Sequence, residues 1–183
     1  MFERSLIEHC SPTLASIKTA SLFTITYQTQ SDLRSQLEHW NLRLGGKGVA
    51  LRIVRDSRAH ALVYVYREKQ LQRDLQRPGV AAFLRQYGYR SAVPAEAVAH
   101  LEARLRADDG FPHEIGLFLG YPLGDVMGFI ENAGHNSKCC GCWKVYCNEC
   151  EAVRQFARLR KCREIYLQLW SAGKSIVQLT VAA

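Results

Sequence analysis

Two neighbouring segments limit the fold most. Residues 49–56 (VALRIVRD) and 60–67 (HALVYVYR) are rich in β-branched and aromatic side chains and have only three residues between them. So short a connection joins antiparallel strands, because a parallel crossover needs roughly a dozen residues or more. Residues 21–27 (SLFTITY) read as a further, buried strand.

The rest of the chain is largely helical in period. Residues 31–44 place Leu33, Leu37, Trp40 and Leu44 on one face, with Ser31 as N-cap and Gly45, Gly46 and Gly48 as the stop. Residues 2–10 make a short amphipathic helix that ends before Pro12. Leu71 and Leu75 begin a helix that Pro78 interrupts, and Val80, Phe83, Leu84 and Tyr87 resume the period. Pro94 suits a first helical turn, ahead of Val98, Leu101 and Leu105. HEIGLFLG and LGDVMGFIEN give two short apolar helices joined at Gly120–Tyr121. The tail reads strand, helix, strand: WKVY, NECEAVRQFARLRK and EIYLQLW. The expectation is an α+β fold, a mostly antiparallel sheet covered by several helices, in a single domain over residues 1–183.

Composition narrows the class. With 48% apolar and 22% charged residues the chain is ordinary for a globular protein, and no apolar run is long enough to cross a bilayer. Glu3 and Glu8 interrupt the N-terminal apolar residues where a secretory signal would be uniformly apolar, so a cytoplasmic location is expected. Seven cysteines, an odd and clustered set, suit a reducing compartment better than a disulfide framework. The formal charge of +7 permits an anionic partner such as a nucleic acid. The basic residues are nevertheless dispersed over Arg52, Arg55 and Arg58, then Arg67 to Arg77, then Arg154 to Arg163, which reads as solvated surface rather than a groove.

The chemistry concentrates in KCCGCWKVYCNEC, residues 138–150. Cys139, Cys142, Cys147 and Cys150 form two Cys-x-x-Cys pairs, a set of soft ligands suited to zinc or iron. An extended WKVY would span about 13 Å and aim the two pairs away from one ion. Cys142, Cys147 and Cys150 also have the spacing that opens plant-type [2Fe–2S] ligation, with Cys162 as a distant fourth ligand. A redox reading stands beside these. Asn148 and Glu151 form a capping-box pattern that sets Cys147 just before a helix and Cys150 in its first turn, where the helix dipole favours a thiolate. Lys144 and Arg154 would add to that effect. The plainest alternative is that these cysteines are small, semi-buried apolar residues.

Residues 113–146, HEIGLFLGYPLGDVMGFIENAG followed shortly by CCGCWKVY, resemble the signature of domain of unknown function 3793. HCSPTLASIKTASLF (9–23) and LVYVYR (62–67) resemble the same family, so the likeness covers nearly the whole chain. The resemblance implies a protein typical of anaerobic bacteria, with no established activity or catalytic residue. It also implies a redox or iron setting and an electron-transfer partner. The positions of Cys142, Cys147 and Cys150 are not usually cysteine in that family, which would make a cluster-wide metal site particular to this member.

Other motifs carry less. His113–Glu114 lacks the second histidine of a zinc protease, and GGKG (45–48) follows a helix where a phosphate loop would follow a strand. His9 and Cys10 are neighbours that suit core and cap positions. Tyr64 and Tyr66 share one strand face and suit internal packing, although YVYR and QYGYR would also stack on bases. No nucleophile elbow or Ser-His-Asp arrangement is visible. Three functional expectations follow: an accessory or binding protein in redox or iron metabolism, a thiol-dependent enzyme using Cys147 and Cys150, and a basic nucleic-acid-binding module.

Overall fold

The computed structural model describes residues 2–57, 59–107 and 110–182. Arg58, named above among the dispersed basic residues, lies outside them. Three antiparallel strands form the central sheet in the order β1 (Ala20–Thr26), β3 (His60–Arg67), β2 (Val49–Ser57). Phe23 and Leu51 flank β3 opposite Val63 and Val65, and the register shifts between Ile53 and Arg55, leaving Val54 as the extra, fully buried residue. The α+β expectation, an antiparallel sheet under helices, holds.

β3 is apolar from Ala61 to Tyr66 because both of its faces are covered. Ala61, Val63 and Val65 join Phe23, Ile25 and Leu51 in a core with α1 (Phe2–Leu14), α2 (Gln30–Gly45) and α9 (Ile176–Leu179). Tyr64 and Tyr66 point the other way, stacked at 4.9 Å, into a second core. That core is completed by α3 (Glu68–Leu75), α4 (Val80–Arg85), α5 (Pro94–Arg106), α6 (Ile115–Phe118) and α7 (Leu123–Glu131). Both tyrosines are interior, as their shared face predicts. A third, smaller cluster lies under the cysteine segment, built from Trp143 and Val145 against Ala152, Phe156 and Leu159 of α8 (Glu149–Ser171).

Three local expectations are corrected. EIYLQLW is not a strand: residues 149–171 are one helix. No Gly or Pro interrupts it before Gly173, and Tyr166, Leu167 and Trp170 continue a helical stripe against the α1–α2 core. α1 runs through Pro12 to Leu14, placing the proline in its last turns, where Leu14 and Cys10 bury completely. The α2 N-cap is Thr29, whose Oγ1 accepts from Asp32 N at 3.2 Å, two residues before the serine expected.

Arg67, at the end of β3, is 1% exposed and donates only to backbone carbonyls. Nε reaches Thr13 O at 2.6 Å, Nη2 reaches Leu14 O at 2.7 Å and Val181 O at 2.8 Å, and Nη1 reaches Lys47 O at 3.2 Å. One side chain thus ties the end of α1, the α2–β2 turn and the C-terminal segment to the sheet. Among the described residues, no helix is long and apolar enough to cross a membrane.

Candidate functional site

The segment 138–150 folds as a two-residue hairpin, β4 (Cys139–Cys140) against β5 (Lys144–Val145), with Cys139 opposite Val145 and Cys140 opposite Lys144. The reversal falls at Gly141–Cys142–Trp143, taking in the first residue of the WKVY segment, and Gly141 N donates to Trp143 O at 3.0 Å. Gly141 is needed there because a Cβ would overlap the Phe156 ring. Trp143 meets that ring edge-on at 4.5 Å and stacks on Tyr121 at 4.8 Å.

Helix α7 is the platform for this hairpin. Asp125 is 3% exposed, and its two oxygens accept three hydrogen bonds from the cysteine segment. Trp143 Nε1 donates to Oδ2 at 2.8 Å, while the Tyr146 and Cys147 amides donate to Oδ1 at 2.8 and 2.9 Å. Glycines immediately before it and three residues after it make room. A Cβ on Gly124 would overlap Cys147 Sγ, and one on Gly128 would lie 2.5 Å from the Tyr146 ring. An acid in an apolar helix, flanked by glycines four residues apart, therefore works as a seat for the strand that follows. Further ties come from Lys138 Nζ to Cys147 O at 2.7 Å, Lys144 Nζ to Gly134 O at 2.6 Å and Tyr146 Oη to His135 O at 2.9 Å.

The hairpin presents its thiols outward. All seven cysteines are free; Cys140, Cys142, Cys147 and Cys150 are exposed, Cys139 and Cys162 are half-buried, and Cys10 is buried. The four predicted metal ligands do not converge: Cys142 turns toward Tyr121 and Lys18, whereas Cys147 rests on Gly124. Among the described residues, no three His, Cys, Asp or Glu side chains are grouped to hold an ion. The helix start is as expected. Asn148 Oδ1 accepts from Glu151 N at 3.2 Å, although Glu151 answers through the Asn148 side-chain amide at 3.1 Å instead of its backbone N–H. Cys147 precedes α8 and Cys150 lies in its first turn. Cys147 departs from the picture of an activated thiol: desolvation, then the charge of Asp125 and a hydrogen bond to it, push its pKa up. Lys144 is held at Gly134.

Both halves of this site, the α6–α7 segment and the hairpin, lie within the stretch that carries the family signature. The family model described as Protein of unknown function (DUF3793) matches residues 6–180. The chain belongs to the DUF3793 family. No curated protein and no solved structure matches it. In this DUF3793 chain the glycines and the aspartate of LGDVMGF have a physical task, which is to carry the cysteine hairpin.

Two adjoining cavities complete the site. The larger, about 390 Å³, is predominantly apolar and is walled by Phe111, Ile115, Val126, Phe129 and Trp143. The smaller, about 170 Å³, is lined by His9, Lys18, Ser21 and Arg163. Leu22, Leu119, Tyr121 and Cys142 line both. Sequence reading singled out neither Asp125, Tyr121 nor Lys18. The available signal was polarity out of place: Asp125 within GLFLGYPLGDVMGF, and Lys18 just ahead of an apolar strand.

Proposed function

We propose that this DUF3793 protein is an accessory or binding protein of redox or iron metabolism that works through the exposed thiols of its cysteine hairpin. One observation carries the reading: Cys140, Cys142, Cys147 and Cys150 are free and exposed on a segment pinned in place by the buried Asp125. A merely structural cluster would turn its sulfurs inward, as Cys10 does. Soft thiolates that do not close around one ion suit transient coordination of zinc or iron, with a partner or solvent supplying the remaining ligands.

Anaerobic purification followed by elemental analysis and an absorption spectrum tests this. The expected result is chelatable zinc or iron that is lost when the hairpin cysteines are replaced by serine. Metal that survives those replacements, or its absence after anaerobic purification and loading, would contradict it.

A thiol-exchange reading is favoured by the capped start of α8 beside Cys147 and Cys150. In that form Cys150 attacks a partner disulfide, releasing one partner thiolate and forming a mixed disulfide. Cys147 then displaces the second partner thiolate, leaving a Cys147–Cys150 disulfide and a partner reduced by two electrons. Desolvation and the charge of Asp125 hold the Cys147 thiol up, so less of it is thiolate at neutral pH.

A further inference from the structure

We infer that the paired cavities bind a small amphipathic monocarboxylate, its carboxylate at Lys18 in the smaller cavity and its apolar body past Tyr121 in the larger. This inference goes beyond the thiol reading and does not depend on it.

The smaller cavity carries positive charge without acid. Lys18 Nζ donates to Ala20 O at 2.5 Å and lies 5.3 Å from the centre of the Tyr121 ring. An ammonium has three donors, so this single carbonyl leaves capacity for a ligand. The charged or ionisable neighbours that act on Lys18 are the Cys10 and Cys142 thiols and the Arg163 guanidinium, none of them a carboxylate. Desolvation already holds the Lys18 pKa down to about 8, the mark of an ammonium short of compensation. Nearby, His9 stacks on Phe23 at 5.7 Å, and Ser21 Oγ shares a 2.9 Å hydrogen bond with Thr13 Oγ1. A carboxylate at Lys18 would gain charge-assisted hydrogen bonds where the protein supplies no counter-ion.

The larger cavity defines the rest of the ligand. Its walls are mainly apolar and aromatic, its acid, Asp125, is taken up by the hairpin donors, and it meets the cationic cavity at Tyr121, Leu22, Leu119 and Cys142. A bare inorganic anion would leave it empty, and an uncharged hydrocarbon would leave Lys18 uncompensated. A carboxylate on a short acyl chain or a single aromatic ring satisfies both. Lys18 is the withdrawn cation of the smaller cavity, since Arg163 is exposed at its mouth and Lys144, in the larger cavity, is held at Gly134 O, so one negative charge is matched.

Calorimetric titration of the intact chain with octanoate and phenylacetate, each beside its neutral amide, tests the inference. The acids should bind at least about tenfold more tightly than their amides, the scale of one charge-assisted hydrogen bond. Lys18→Gln, which keeps a donor for Ala20 O, should remove that difference, and Lys18→Arg should restore part of it. Chelator treatment should leave the affinities unchanged, which separates this site from any hairpin metal. Amides binding as tightly as acids, octyl phosphate binding more tightly than octanoate, or neither acid binding at millimolar concentration would overturn the inference. The acid–amide comparison uses the native protein, so it stands even where a Lys18 variant fails to fold.

Discussion

At the scale of single residues, Asp125 decides how the thiols are presented. Its carboxylate satisfies one indole and two backbone donors that would otherwise be stranded near the hairpin. Asp125→Ala should cost about 4–5 kcal/mol, since hydrogen bonds to a charged group are each worth roughly 1.5–3 kcal/mol and three are lost together. Chemical denaturation measures the loss, and near-ultraviolet dichroism should report a loosened Trp143. Asp125→Asn removes the negative charge that helps to raise the Cys147 pKa, so Cys147 should alkylate faster at neutral pH in that variant. A slower rate would contradict the assignment. Cys10 makes the opposite kind of residue: burial pushes its thiol from 9.0 up to about 12. The folded state resists ionisation while the unfolded state does not, so this stability is present below pH 9 and is lost as pH rises toward 12. Relative to Cys10→Ala, the wild-type chain should lose about 1.4 kcal/mol between neutral pH and pH 10, readable in urea midpoints. Comparison with that variant cancels the contrary contribution of Lys18, whose unfavourable charge is relieved between pH 8 and 10.5.

At the scale of elements, the sheet was the most legible part of the sequence. β3 announces itself because a strand buried on both faces must be apolar on both, and ALVYVY within it is. The helical stripe Leu33, Trp40 and Leu44 is equally direct, because a period of 3.6 leaves little choice of face. EIYLQLW misleads for a physical reason. Its short apolar run has the composition of a strand, and only the unbroken helix before it, with no Gly or Pro until Gly173, overrides that preference. The hairpin turn was hidden similarly, since Gly141 works by making room for Phe156. The seat on α7 makes a sharp prediction. Gly124→Ala adds a methyl group against Cys147 Sγ and should destabilise by about 1–3 kcal/mol while increasing Cys147 reactivity. Gly46 has φ −62° and nothing within 4 Å of its added Cβ, so Gly46→Ala should instead stabilise by about 0.4–1 kcal/mol. Thermal melts of the two variants should move in opposite directions.

At the scale of the whole molecule, Arg67 binds together parts of the chain that local sequence cannot connect. Arg67→Met leaves carbonyls at Thr13, Leu14, Lys47 and Val181 without that donor and should cost roughly 3 kcal/mol or more in a denaturant titration. The candidate site was only half legible for the same reason. Its cysteines are clustered in one short segment, whereas the cavities gather Lys18, Tyr121, Cys142 and Arg163 from segments far apart in the chain. Spacing revealed the thiols, but no periodicity reports which distant groups will meet them. The central claim is that the exposed hairpin thiols are the working groups and engage a soft metal ion. Its most direct test is peptide-resolved alkylation of the anaerobic, reduced, native protein with and without added zinc(II). The account predicts that Cys140, Cys142 and Cys150 label well before Cys10, and that zinc slows at least two hairpin cysteines about tenfold or more while leaving Cys10 unchanged. Labelling of the hairpin no faster than Cys10, or hairpin rates indifferent to zinc, would contradict it.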